Sequence, residues 1–144
     1  MPTVTIETLT NIGDIRGSSF SIPRAWAQFL PAAVDLHVTS LKPGHTRGNH
    51  YHKTRKEVII VVHADGWALS WDNGRTSRVQ HRNFVGRGAV MLTVEPGAAH
   101  AVVNSGRMDL YTIGLTDGLH DPEDTVRVEI TAGDQGSKIK NQEK

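Results

Sequence analysis

Short runs of Val, Ile, Leu and Thr recur along the chain, separated by turn-forming residues roughly every ten positions, the spacing of an all-β domain. The turns are marked by Asn11-Ile12-Gly13, Lys42-Pro43-Gly44, Arg47-Gly48-Asn49, Asp65-Gly66, Asp72-Asn73-Gly74 and Pro96-Gly97. Of these, Asn73-Gly74 is the strongest hairpin signal. The intervening runs predict strands over residues 3–9, 34–41, 57–63, 67–71, 77–81, 89–94, 100–104, 109–115 and 125–131. Within 34–41 the polarity alternates: Val34, Leu36 and Val38 share one face, and Asp35, His37 and Thr39 the other. Val58-Ile59-Ile60-Val61-Val62 is apolar on both faces, so its strand is central or lies under an interface. A single short helix is expected between Pro23 and Pro31, with Trp26, Phe29 and Leu30 at helical spacing. The pattern predicts an antiparallel sandwich or barrel in one domain, residues 1–132, followed by a polar tail, 133–144, expected to be disordered.

Composition narrows the possibilities. The 144 residues are 38% hydrophobic and 22% charged, as in an ordinary globular domain. Sixteen basic and fifteen acidic residues nearly cancel, so no electrostatic case for a nucleic-acid partner exists. The absence of Cys excludes disulfides, thiolate metal centres and thiol nucleophiles. No apolar stretch of ~20 residues or N-terminal signal pattern is present, and a cytoplasmic protein without membrane contact is the expectation. The eight His are the unusual feature.

His50 and His52 are two apart, so on a strand their imidazoles lie side by side on one face. Glu57 follows after a polar gap of four residues, Lys53, Thr54, Arg55 and Lys56, read as a solvated turn. His100 comes directly after the Pro96-Gly97 turn, at the start of a strand that can lie beside the one bearing His50 and His52 if the sheet rolls up. Three imidazoles and one carboxylate then converge. That donor set suits one divalent transition metal (Zn, Fe, Mn or Ni) with positions left for water or substrate. His37, His81 and His120 sit among polar neighbours and read as surface.

The same residues carry a resemblance. Gly44, His50-Tyr51-His52 and Glu57 resemble the first motif of the cupin superfamily, and Gly97, His100 and Asn104 resemble its second. The segment from Pro43 to Lys53 is similar to the C-terminal cupin domain of capsular-polysaccharide nucleotide-sugar epimerases. Asp14-Ile15-Arg16-Gly17, His50-Tyr51-His52-Lys53 and the closing Asp121-Pro122-Glu123-Asp124-Thr125 resemble segments of those domains and of dTDP-sugar ketoisomerases. The resemblance implies a single-domain jelly-roll barrel with a divalent metal on His50, His52, Glu57 and His100.

It also implies isomerase or epimerase chemistry, in which a proton is abstracted next to a carbonyl of a sugar or similar small polar metabolite, for example a nucleotide sugar. His52 is the candidate base. Tyr111 is the candidate acid, and Lys53 is placed to reach a diphosphate or the carbonyl. Arg16 and Arg47 can grip phosphate, and Trp67 can stack on a sugar. Within enzymes the alternative is a metal-dependent dioxygenase, lyase or dehydratase; outside them it is a non-catalytic ligand-binding cupin or a partner subunit. The reductase domain of the two-domain epimerases is not part of this chain. A homodimer is expected through sheet edges, with residues 3–9 forming one such edge.

Overall fold

The structure, a computed structural model, describes residues 1–131 and the backbone of 142–143. Two antiparallel sheets face one another and enclose one core, giving the jelly-roll barrel. The first sheet contains β1 (Val4–Thr8), β2 (Asp35–Leu41), β4 (Glu57–His63), β7 (Gly88–Val94) and β9 (Leu110–Thr116), in the order β1-β7-β4-β9-β2. The second contains β3 (Thr46–His52), β5 (Trp67–Trp71), β6 (Gln80–Phe84), β8 (His100–Val103) and β10 (Thr125–Arg127), in the order β10-β3-β8-β5-β6. Of the expected tail, Gln142–Glu143 pair in parallel with Thr46 and Arg47; residues 132–141 and 144 lie outside the described residues. No helix among the described residues is long and apolar enough to cross a membrane.

β4 is central, between β7 and β9, as its two apolar faces require. Its inward side chains are Glu57, Ile59, Val61 and His63. Ile59 and Val61 join Trp67, Leu69, Phe84, Leu92 and Leu110 in the barrel core. On the outer side Val58 and Ile60 lie under a cover formed by the segment between β1 and β2. The helix α1 (Ala25–Phe29) is in this cover, and Trp26, Phe29 and Leu30 pack there with Leu9, Phe20 and Ile22. The barrel is therefore apolar towards its His63 end and polar towards its Glu57 end.

Two local expectations are corrected, and a third is given its direction. The 77–81 strand starts later, at Gln80, because Asn73-Gly74 does not close a two-residue hairpin. The Ser77 hydroxyl instead donates to the Gly74 carbonyl and accepts from the Asn73 N–H, while Asp72 Oδ1 accepts from the Gly74 and Ala99 N–H groups. These bonds hold a longer loop. Arg47-Gly48-Asn49 is not a turn but a β-bulge inside β3, with Gly48 at φ 104° and Asn49 at φ 57°. On β2 the apolar set is the exposed one: Val34, Leu36 and Val38 are 55%, 64% and 70% exposed, and His37 and Thr39 face the cavity.

The candidate site at the polar end of the barrel

The bulge in β3 sets which side chains enter the barrel. Arg47 pairs with Val102 and Gly48 with Ala101; Asn49 is then skipped and His50 pairs with His100. The extra residue shifts the alternation by one, so Arg47, His50 and His52 all face inward. The carbonyl of His100 lies so close to Gly48 that a Cβ there would be 2.6 Å away. Asn49 is buried and ties the bulge to the C-terminal segment. Its Oδ1 accepts from the Ile130 N–H, its Nδ2 donates to Thr131 Oγ1, and its carbonyl accepts from the Val128 N–H.

His50 and His100 are direct cross-strand partners with ring centroids 5.0 Å apart. His52 is also 5.0 Å from His50 and 6.0 Å from His100, so the three rings form a triangle. The Gly97 N–H donates to the His52 carbonyl, which anchors the turn that delivers His100. Glu57 opens β4 in the opposite sheet and reaches across the barrel. Its Oε1 is 3.3 Å from His52 Nε2 and 3.4 Å from His100 Nε2. The four-residue gap thus returns the carboxylate to the imidazoles, whose ligand atoms lie within 4.8 Å of one another.

Burial, with His100 and His52 beside it, pushes the His50 imidazole down to about 3, so His50 is neutral with a free lone pair. Burial alone would raise the Glu57 carboxyl. The neighbouring His100 and His52 outweigh it and hold the group below the usual carboxylate range. Glu57 Oε1 is buried and has no hydrogen-bond partner. An ionised, orphaned carboxylate oxygen among imidazoles is costly without a cation. The donor chemistry therefore fits a divalent metal.

Two cavities that share part of their lining open from this cluster. The inner one, about 210 Å³, is lined by Arg47, Thr39, Ile59 and Thr112. The wider one, about 690 Å³, is lined by Asp35, Arg55, His120 and Arg127. His37, His50 and Glu57 border both.

Other candidates are placed elsewhere. Tyr111 faces outward on β9, opposite Val62 and Ser40, and is half exposed, because it is Thr112 and Gly114 that point inward. Trp67 is fully buried, stacked on Phe84 at 4.2 Å, and presents no face to a sugar. Arg16 sits in an exposed turn with its guanidinium on the Asp14 carboxylate. Lys53 is exposed, its backbone N–H donating to the Asp124 carbonyl, and it lines neither cavity.

Three cavity-lining positions escaped the sequence. His37 and His120, read as surface, are exposed as expected but also line the wider cavity. The Asp35 carboxylate is 3.5 Å from His37 Nδ1. The His37 ring occupies the space a Cβ on Gly114 would need, at 2.9 Å, and the signal was a glycine inside the β9 run. Arg55, read as part of a solvated turn, is buried. Its Nε donates to Asp124 Oδ2 at 2.9 Å, and its Nη2 lies 3.1 Å from His52 Nδ1.

The barrel is that of a cupin. Residues 13–126 match the polysaccharide biosynthesis C-terminal domain family, and the chain belongs to that family. Solved structures agree in fold. The sugar 3,4-ketoisomerase QdtA from Thermoanaerobacterium thermosaccharolyticum, solved with TDP-4-keto-6-deoxyglucose, is 16% identical with a TM-score of 0.65, over 86% of each chain. A dTDP sugar isomerase from Desulfovibrio desulfuricans is 14% identical with a TM-score of 0.73, over 95% of this chain and 88% of that one. The capsular polysaccharide assembling protein CapF from Staphylococcus aureus is 25% identical with a TM-score of 0.60. That match covers 85% of this chain and 34% of CapF, so the chain spans about a third of that protein's length. No curated protein sequence matches the chain.

Proposed function

We propose that the protein is a sugar isomerase or epimerase that moves a proton next to a carbonyl, with a nucleotide sugar as the expected substrate. The observation that carries this reading is the convergence of three imidazoles and a buried carboxylate on the wall of an open cavity. Membership of a polysaccharide-biosynthesis family and the sugar isomerases among its structural neighbours support the substrate class.

Proton abstraction next to a carbonyl needs a positioned acid–base group and something to hold charge that develops on the oxygen. His52 is the acid–base group, with Nε2 turned to the cluster. His37 faces the same cavity, oriented by Asp35. His50, Glu57 and His100, with His52 beside them, are the donors that would hold a divalent metal. When bound, such an ion supplies Lewis-acid stabilisation of the developing oxyanion. Arg47 and Arg127 place positive charge on the cavity walls, where phosphate oxygens of a nucleotide sugar would lie.

The test is to incubate the protein with TDP-4-keto-6-deoxyglucose in deuterium oxide and follow the sugar by NMR. Deuterium next to the carbonyl, or a new keto isomer, is expected, and His52→Gln should slow it by about 10²-fold or more. An unchanged sugar with folded protein would overturn the reading for this substrate class. Consumption only with O₂ would favour a dioxygenase, and loss of water or of a leaving group would favour a dehydratase or lyase. Saturable binding without conversion would favour a ligand-binding cupin.

A further inference from the structure

The imidazoles of the cluster are presented differently to their surroundings. His100 Nδ1 lies 3.3 Å from the Ala98 carbonyl, an acceptor, so this nitrogen carries the proton and Nε2 offers a lone pair. That is the usual arrangement for a metal-ligating histidine, whose second nitrogen donates to a carbonyl or carboxylate. His52 is the reverse. Its Nδ1 is 3.1 Å from Arg55 Nη2, and a guanidinium has donors and no acceptor.

The groups around His52 Nδ1 can all be assigned. Arg55 Nη2 donates to it, and also approaches Thr125 Oγ1 at 3.3 Å. Thr125 Oγ1 is 3.3 Å from Nδ1 and, having accepted from Arg55, has its own proton to give. Asp124 Oδ2 is 3.9 Å away, beyond hydrogen-bond distance. That oxygen accepts from Arg55 Nε, and Oδ1 accepts from the Thr54 N–H and hydroxyl at 2.8 and 2.7 Å. The group nearest to Nδ1 is thus a donor with no acceptor capacity, which disfavours a proton on Nδ1. Arg55 is itself immobilised: it is buried, Asp124 holds its Nε, and Gly118 packs against its stem.

We propose that Arg55, clamped by Asp124, is a positioning residue that keeps the His52 proton on Nε2, the ring nitrogen on the side of the site, 3.3 Å from Glu57 Oε1. His52 then stands in the site as a proton donor rather than as the base, proton abstraction falls to His37 on the same cavity, and the ion-holding set reduces to His50, Glu57 and His100. This deepens the reading of the site as a proton-transfer centre and rests on it for its functional meaning, but its test needs no turnover.

The test is imidazole ¹⁵N NMR of the labelled protein, combined with zinc stoichiometry. In the wild type, His52 Nδ1 is expected to give an unprotonated-nitrogen signal and Nε2 a protonated one. Arg55→Met should redistribute the proton towards Nδ1, and Arg55→Lys, which keeps a donor, should restore the wild-type pattern in part. His52→Gln should retain about one equivalent of zinc, whereas His100→Gln should lose it. A protonated Nδ1 on His52 in the wild type would overturn the proposal, as would loss of zinc in His52→Gln or its retention in His100→Gln. Should Arg55→Met fail to fold, the wild-type tautomer and the His52→Gln stoichiometry still decide. Failure of the isomerase reading is separate: the tautomer result would stand while TDP-4-keto-6-deoxyglucose remained unchanged.

Discussion

Arg47 and His50 are three residues apart on one strand and yet face the same cavity, because Asn49 is bulged out of the pairing between them. A regular strand would have sent them to opposite faces. The bulge needs a left-handed backbone at Asn49 and no side chain at Gly48, where the His100 carbonyl closes in.

Gly48→Val should therefore cost stability and dismantle the site together. The φ of 104° and the 2.6 Å approach leave no relaxed position for a Cβ. A loss of about 2 kcal/mol or more is expected from backbone strain and the clash, read by chemical denaturation. Wild-type stability in the variant would show that the bulge is not the constraint described here.

His37 and Gly114 form a second dependent pair across β2 and β9. Gly114→Val should displace the His37 ring and lower turnover, and His37→Asn should lower it by about 10²-fold, in the range of a positioned acid–base group. Zinc stoichiometry should be unchanged in His37→Asn. Full activity in His37→Asn would remove it from the mechanism.

Tyr111 and Trp67 separate sequence expectation from structure. Tyr111→Phe should leave activity within about twofold, because the hydroxyl points away from the cavity, and small surface changes are usually near neutral. Trp67→Ala should instead destabilise the fold by about 3–5 kcal/mol, as a buried aromatic removed from a core. A folded Trp67→Ala protein of wild-type stability with weakened sugar binding would reinstate Trp67 as a binding residue.

The outer face of β2 leaves Val34, Leu36 and Val38 exposed beside Tyr111 and Val62, while the segment before β2 covers only the rest of that sheet. β2 is also a sheet edge. A second copy is the proposed partner, since an apolar edge of this kind is self-complementary about a two-fold axis. Light scattering should give a dimer mass, and Val38→Glu should shift it to a monomer. A monomeric wild-type protein would reject the dimer.

The fold was legible because alternation and turn chemistry agree along most of the chain, as at β4, whose bounds match the apolar run around Val58–Val62. His50, His52, Glu57 and His100 were legible because their spacing survives the bulge. Periodicity gives the phase of a strand but not which face is inside. On β2 the barrel needs its polar set near the site, so the apolar set faces out. Arg55 was illegible for a different reason. In sequence it is one charge in a polar gap, and its burial depends on Asp124, 69 residues away. The closing segment Asp121–Thr125 stands out in the sequence by resemblance alone, and in the structure its Asp124 holds Arg55 and the turn at Lys53 and Thr54.

The account stands on the buried Glu57 carboxylate and its imidazoles being a cation-holding site, and metal content tests this most directly. Protein purified without chelator or nickel affinity would be analysed by elemental mass spectrometry, and again after dialysis against zinc. The account expects about one equivalent of divalent transition metal per chain, lost in Glu57→Gln and in the His50→Ala, His100→Ala double variant. A well-folded wild-type protein that takes up no metal, or full occupancy in the double variant, would contradict it.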